Sequence, residues 1–163
     1  LTLVREGVSK KFSRDFFAKL PFSIDKKKLI ERLRKLKDPQ GSFHKSPEVW
    51  KIYVDSAQAV KNDANSWYKC GQYQMAKELY LLAISQLDEF PPYKTNCYSN
   101  RRNKLYAILH FNLAAIAVHK NQLNQAIVYC DIALKWNPDY SNARDRKNAI
   151  LKKLQKQKKC DTN

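Results

Sequence analysis

The chain has 163 residues, 44% of them hydrophobic, with three glycines, six prolines and a formal charge of +16 from 31 basic and 15 acidic residues. That is one ordinary domain's length with enough apolar material for a core, and too little glycine and proline for a turn-rich sheet, so an all-α fold is expected. No apolar run approaches the roughly 18 to 20 residues that span a bilayer. A soluble, cytoplasmic or nuclear domain is expected, because Cys70, Cys97, Cys130 and Cys160 show neither disulfide nor zinc spacing.

The charge is uneven. Residues 1–45 hold 13 basic and 5 acidic residues, residues 46–138 hold 10 and 7, and residues 139–163 hold 8 and 3. The excess at the two ends favours anionic partners without choosing between nucleic acid, membrane and acidic peptide. The chain starts at Leu1 rather than methionine, and the expectation is a piece of a longer protein.

Residues 1–45 read as a basic helical extension of open role. A short helix is expected around Ser13 to Leu20. Ser23 can cap a second one from Ile24 to Lys37, with Leu29, Ile30, Leu33 and Leu36 as its apolar stripe. The stretch Asp38-Pro39-Gln40-Gly41-Ser42 is a turn or linker. A second unit, 46–163, then starts at Ser46-Pro47-Glu48, which gives a cap residue, a proline in the first turn and an acid. This helix is expected to run from Pro47 to Lys69.

Two segments then repeat each other. Ala64, Ala76 and Ala83 recur as Ala114, Ala126 and Ala133, and Gly71 recurs as Asn121, all at an offset of 50 residues. Small residues at these spacings let two antiparallel helices approach closely, with large residues such as Trp67, Tyr73 and Tyr80 filling the flanking holes. Gly71 or Asn121 can take the left-handed conformation that ends the first helix of each pair. Repeat 1 is placed at about 57–90 and repeat 2 at about 105–140, with Pro138 closing the second. Phe90-Pro91-Pro92-Tyr93 ends the first pair, since a proline disfavours helix at the residue before it. An insertion is placed at 91–104, followed by a helix from Asn103 to Val118 with Leu105, Ile108, Leu109, Phe111, Leu113 and Ile116 apolar. The last helix, 141–159, carries Ala143, Ile150, Leu151 and Leu154 on one side and has no partner helix after it, so it reads as a cap on the stack.

This pattern resembles the tetratricopeptide repeat. The long helix after an insertion, and the run Leu109-His-Phe-Asn112-Leu-Ala-Ala, look like the repeat domains of FK506-binding (FKBP-type) immunophilin co-chaperones and aryl-hydrocarbon-receptor-interacting relatives. The resemblance covers roughly Val60 to Leu151. It implies helix pairs forming a short superhelical groove, and a protein-interaction module rather than an enzyme. A prolyl isomerase domain elsewhere in a longer protein is also compatible with it.

The family's carboxylate clamp grips the acidic C-terminal Glu-Glu-Val-Asp tail of heat-shock chaperones of the 90-kDa or 70-kDa class. By position the resemblance carries it to Lys61 and Asn65, Asn112, and Arg146, with Asn142 standing where a second lysine belongs. Residues four apart share a helix face, so these side chains are expected to converge on one groove. A missing lysine removes a charge-assisted contact worth about 1.5–3 kcal/mol, which weakens the grip or retunes it to another acidic tail. Two alternatives stay open. One is a repeat scaffold for another protein partner; the other is nucleic-acid binding by helix 24–37 and the lysines of 152–159, with steep salt dependence. His110 reads as a packing residue, His44 and His119 have no metal-site companions, and Trp50, Trp67, Tyr68, Tyr73 and Tyr80 read as core. No cofactor, metal or nucleophile motif occurs.

Overall fold

The computed structural model describes residues 47–88 and 97–161, and among them there are five α-helices and no strand. They are α1 (Pro47–Lys69), α2 (Tyr73–Asp88), α3 (Cys97–His119), α4 (Leu123–Trp136) and α5 (Ser141–Asp161). The helices expected at 13–20 and 24–37 lie outside the described residues.

The helices pack as antiparallel pairs of the tetratricopeptide type, α1 with α2 and α3 with α4, while α3 also touches α1 and α2 and α5 lies on α4. Close approach depends on alanine. Ala64, Ala76, Ala83, Ala114, Ala126 and Ala133 are all 0% exposed. At each crossing a side chain longer than a methyl would hold the backbones apart. Around them Val54, Val60, Leu87, Leu105, Leu109, Leu113 and Ile116 form the main core. Burying each of these aliphatic side chains contributes about 1.5–3 kcal/mol.

The two tight turns are built alike. Gly71 has φ of 76° and Asn121 has φ of 55°. In the first turn the Gly71 N–H donates to the Tyr68 carbonyl and the Gln72 N–H to the Trp67 carbonyl. In the second the Asn121 N–H donates to Val118 and the Gln122 N–H to Ala117. This paired 5→2 and 6→1 bonding is a Schellman ending, which satisfies carbonyls that the helix leaves without partners.

Helix α3 starts at Cys97, six residues earlier than the expected Asn103, so the second half of the segment read as an insertion is helical. One side chain of these added turns is Arg102, which is 3% exposed. Its Nε and Nη2 donate to the Leu87 carbonyl at 3.2 and 3.1 Å, capping the end of α2, and its plane lies over Tyr106 and Trp136. Burial lowers its pKa from the usual arginine value, and Asp88, then Tyr106, act in the opposite direction. An arginine without that carbonyl would have to stay in water; with it the early turns of α3 are anchored to α2.

On α5, Ala143 and Ile150 are buried and Leu154 packs on the cluster that holds Ile150. Leu151, expected on the same side, is 38% exposed. Trp67 is a second correction: at 43% exposed it does not fill a core hole. It lies three residues after Ala64, the last buried residue of α1, in the turn that leads out of the packed part of the helix.

Candidate functional groove

Helices α1, α3 and α5 present their side chains to a concavity of about 270 Å³, lined by Asn65, Tyr68, Lys69, Tyr80, Asn112, Ala115 and Arg146. Three of the five positions carried over from the sequence are thus brought together: Asn65, Asn112 and Arg146. Lys61 lies one turn before Asn65 on α1 and is half-buried, but it does not line the concavity. Asn142, one turn before Arg146, is exposed and also stays outside it.

The amides of Asn65 and Asn112 are fixed by a buried tyrosine. Tyr80 is 1% exposed, and its hydroxyl donates to Asn65 Oδ1 at 2.6 Å. Asn112 Nδ2 donates to the same oxygen at 3.1 Å across α1 and α3. With its carbonyl oxygen used twice, Asn65 keeps its NH₂ group without an acceptor among the described residues. Burial pushes the Tyr80 phenol up to about 12, the neighbouring Asn112 amide opposes the rise, and Tyr68 adds to it. Tyr80 therefore remains a neutral donor at any physiological pH, and the amide orientation follows from it.

Arg146 is pinned from the other side. Its guanidinium carbon sits 3.7 Å above the centre of the Phe111 ring, and Nη1 donates to the Phe111 carbonyl at 2.7 Å. Burial lowers its pKa, with Cys130, Tyr68 and Tyr140 acting in the opposite direction, yet a guanidinium stays charged. Stacking orders the side chain in advance, so less rotamer freedom is lost when an anion binds. Lys61 is also pushed down by burial. A partly desolvated ammonium without a carboxylate gains more from an incoming one than a fully hydrated surface lysine does.

Among the described residues no acidic side chain lines the concavity. The ion pairs found among the described residues are Arg101 with Asp55, Arg102 with Asp88 and Lys147 with Asp131, all away from it. The arrangement offers amide donors and fixed positive charge to a small anionic group, with Tyr68 as a wall. The Tyr68 hydroxyl lies 2.9 Å from His119 Nε2, and the His119 ring stacks on Tyr73 at 4.6 Å. Four lining residues escaped the sequence reading of the site: Tyr68 and Tyr80, assigned to the core, and Lys69 and Ala115, not singled out. Tyr80 is both, since its ring is buried while its hydroxyl reaches the groove.

His110 is a packing residue. It is 7% exposed, its Nδ1 lies 3.0 Å from the Tyr106 carbonyl, and its ring stacks on Tyr106. Because a carbonyl only accepts, Nδ1 carries the proton. No group of three or more His, Cys, Asp or Glu that could hold a metal ion occurs among the described residues, and no helix there is long and apolar enough to cross a membrane.

No protein-family profile matches the chain, and no solved structure matches it. Curated proteins similar to it are the mitochondrial import receptor subunit TOM70 of rat, human and mouse, each 28% identical over 107 residues. The match covers 66% of this chain and 16% of those proteins, so the chain corresponds to a small part of their length. These relatives, together with the paired helices, fit a tetratricopeptide-type domain; they lend nothing to the immunophilin part of the sequence resemblance.

Proposed function

We propose that this chain is a protein-interaction module whose groove holds the acidic C-terminal tail of a heat-shock chaperone. The observation that carries the reading is the concavity in which Asn65, Asn112 and Arg146 converge and which no acidic side chain lines among the described residues. Each of the three is fixed by a partner inside the protein before any ligand arrives. Preorganised donors and a stacked arginine suit a carboxylate, because charge-assisted hydrogen bonds are strongest where the groups need no reordering. The relatives are named as import receptor subunits, a name for a protein that receives others rather than one that transforms a substrate. The same reading puts the groove in the cytosol, where such tails are presented.

The test is a fluorescence titration with a peptide ending in Glu-Glu-Val-Asp, on the wild type and on Lys61→Ala and Arg146→Ala. Saturable binding is expected, with Arg146→Ala weakening it about tenfold or more, since a lost charge-assisted contact is worth about 1.5–3 kcal/mol. Lys61→Ala is expected to weaken it less. If the wild type does not bind, or if neither variant differs from it, the clamp reading fails. Tight binding to a nucleic-acid duplex at physiological salt would instead favour phosphate tracking by the exposed lysines Lys152, Lys153 and Lys156 of α5.

A further inference from the structure

A second cation is absent at position 142, and the fold offers a different one. Lys69 is the last residue of α1 and lines the same concavity as Asn65, Asn112 and Arg146, which neither Asn142 nor Lys61 does. It stands two turns after Lys61, about 12 Å along the helix at 1.5 Å per residue, so the two lysines flank Asn65 on opposite sides. Among the described residues Lys69 has neither a carboxylate nor a hydrogen-bond partner, unlike Lys120, which donates to Gln74, or Lys147, which pairs with Asp131. Two cations and two amides thus face one small space that no carboxylate lines among the described residues.

We propose, resting on the tail-binding reading above, that Lys69 takes over the role of the missing lysine. It shares the ligand's terminal carboxylate with Arg146, while Lys61 meets a side-chain carboxylate of the same acidic tail outside the concavity. The seat of the terminal group is therefore displaced along α1 toward the Gly71 turn. A bulky last residue would collide with Tyr68, whose hydroxyl contact with His119 holds that wall in place. The ligand class is a free C-terminal acidic peptide, with a small or acidic last residue. The competing role for a lysine at a helix end is to complement the helix dipole, which would touch stability by a few tenths of a kcal/mol and leave binding alone.

Two peptides ending in Glu-Glu-Val-Asp decide between these roles, one with a free terminus and one amidated. Lys69→Ala should weaken the free-acid peptide about tenfold, and Lys69→Arg should restore most of the loss. Against the amidated peptide Lys69→Ala should bind like the wild type, because its partner charge is already gone; Lys61→Ala should weaken both peptides alike. Lys69 is exposed, and a thermal melt checks that each variant is folded. If Lys69→Ala binds the free acid as the wild type does, or loses equally toward both peptides, the inference is overturned while the clamp stands. If the wild type binds neither peptide, the proposed function falls and this inference with it.

Discussion

The two helix pairs share a frame and differ in what they carry on it. Ala64, Gly71, Ala76 and Ala83 match Ala114, Asn121, Ala126 and Ala133 at the offset of 50 residues, and the alanines are equally buried. At the groove-facing positions the same offset pairs Lys61 with Phe111, Asn65 with Ala115, Tyr68 with Val118 and Tyr80 with Cys130. The first pair thus supplies amide, phenol and ammonium groups. The second supplies a ring for Arg146 to rest on, a small residue at the floor, and one amide, Asn112. What holds the fold is repeated, because packing geometry is the same in each pair. What lines the concavity is not, because its polar groups come from different positions in each pair and from Arg146 of α5.

Asn65→Ala breaks that comparison most strongly, since it gives the first pair the residue of the second. It removes the acceptor for the Tyr80 hydroxyl and for Asn112, leaving a buried phenol unsatisfied. The expected loss is about 1–3 kcal/mol of stability in denaturant unfolding, together with at least about tenfold in affinity for the acidic peptide. Unchanged stability would show that the Tyr80 hydroxyl finds water instead.

A smaller effect concerns Val60 and His110, which also correspond at the offset of 50 residues and are both buried. Burial lowers the His110 pKa, with the Tyr106 carbonyl and Asp88 acting in the opposite direction. The folded state therefore binds fewer protons than the unfolded one in the interval below the ordinary value of 6.5. Stability is present in full above about pH 6.5 and is lost as pH falls through that interval toward the depressed folded value. Thermal melts at pH 7.5 and 5.5 should show a larger drop for the wild type than for His110→Val, which carries the first pair's residue. Equal drops would mean that His110 does not contribute to the acid sensitivity.

The frame was legible in the sequence because it depends on local sterics. An alanine at a helix crossing and a residue able to reach positive φ at a turn each act within a few residues of where they stand. The wall of the groove was less legible. Helical spacing marks Tyr68 and Tyr80 as inward-facing, but a helix in a stacked pair has both a core side and a groove side, and period alone does not separate them. Tyr80 satisfies both at once because its ring is long enough to cross from α2 to the Asn65 amide. The early start of α3 was hidden for a different reason: Arg102 reads as a surface residue until the Leu87 carbonyl and the Trp136 ring are seen beside it.

The finest comparison is between the two turns. Gly71 and Asn121 hold the same conformation with the same pair of backbone hydrogen bonds, and they differ only in side chain. A Cβ placed on Gly71 meets nothing within 4 Å, so crowding is not what selects glycine there. The remaining difference is the backbone cost of positive φ, which is absent for glycine and small for asparagine, whose short polar side chain tolerates the left-handed region. The reciprocal swap should therefore give changes of opposite sign and similar size. Gly71→Asn is expected to lose a few tenths of a kcal/mol, about 0.5, and Asn121→Gly to gain about the same. Midpoints of urea unfolding at constant slope measure both, and the double variant should fall back to the wild-type value, since distant sites add. If both single swaps destabilise, Asn121 makes a contact that its turn geometry alone does not explain.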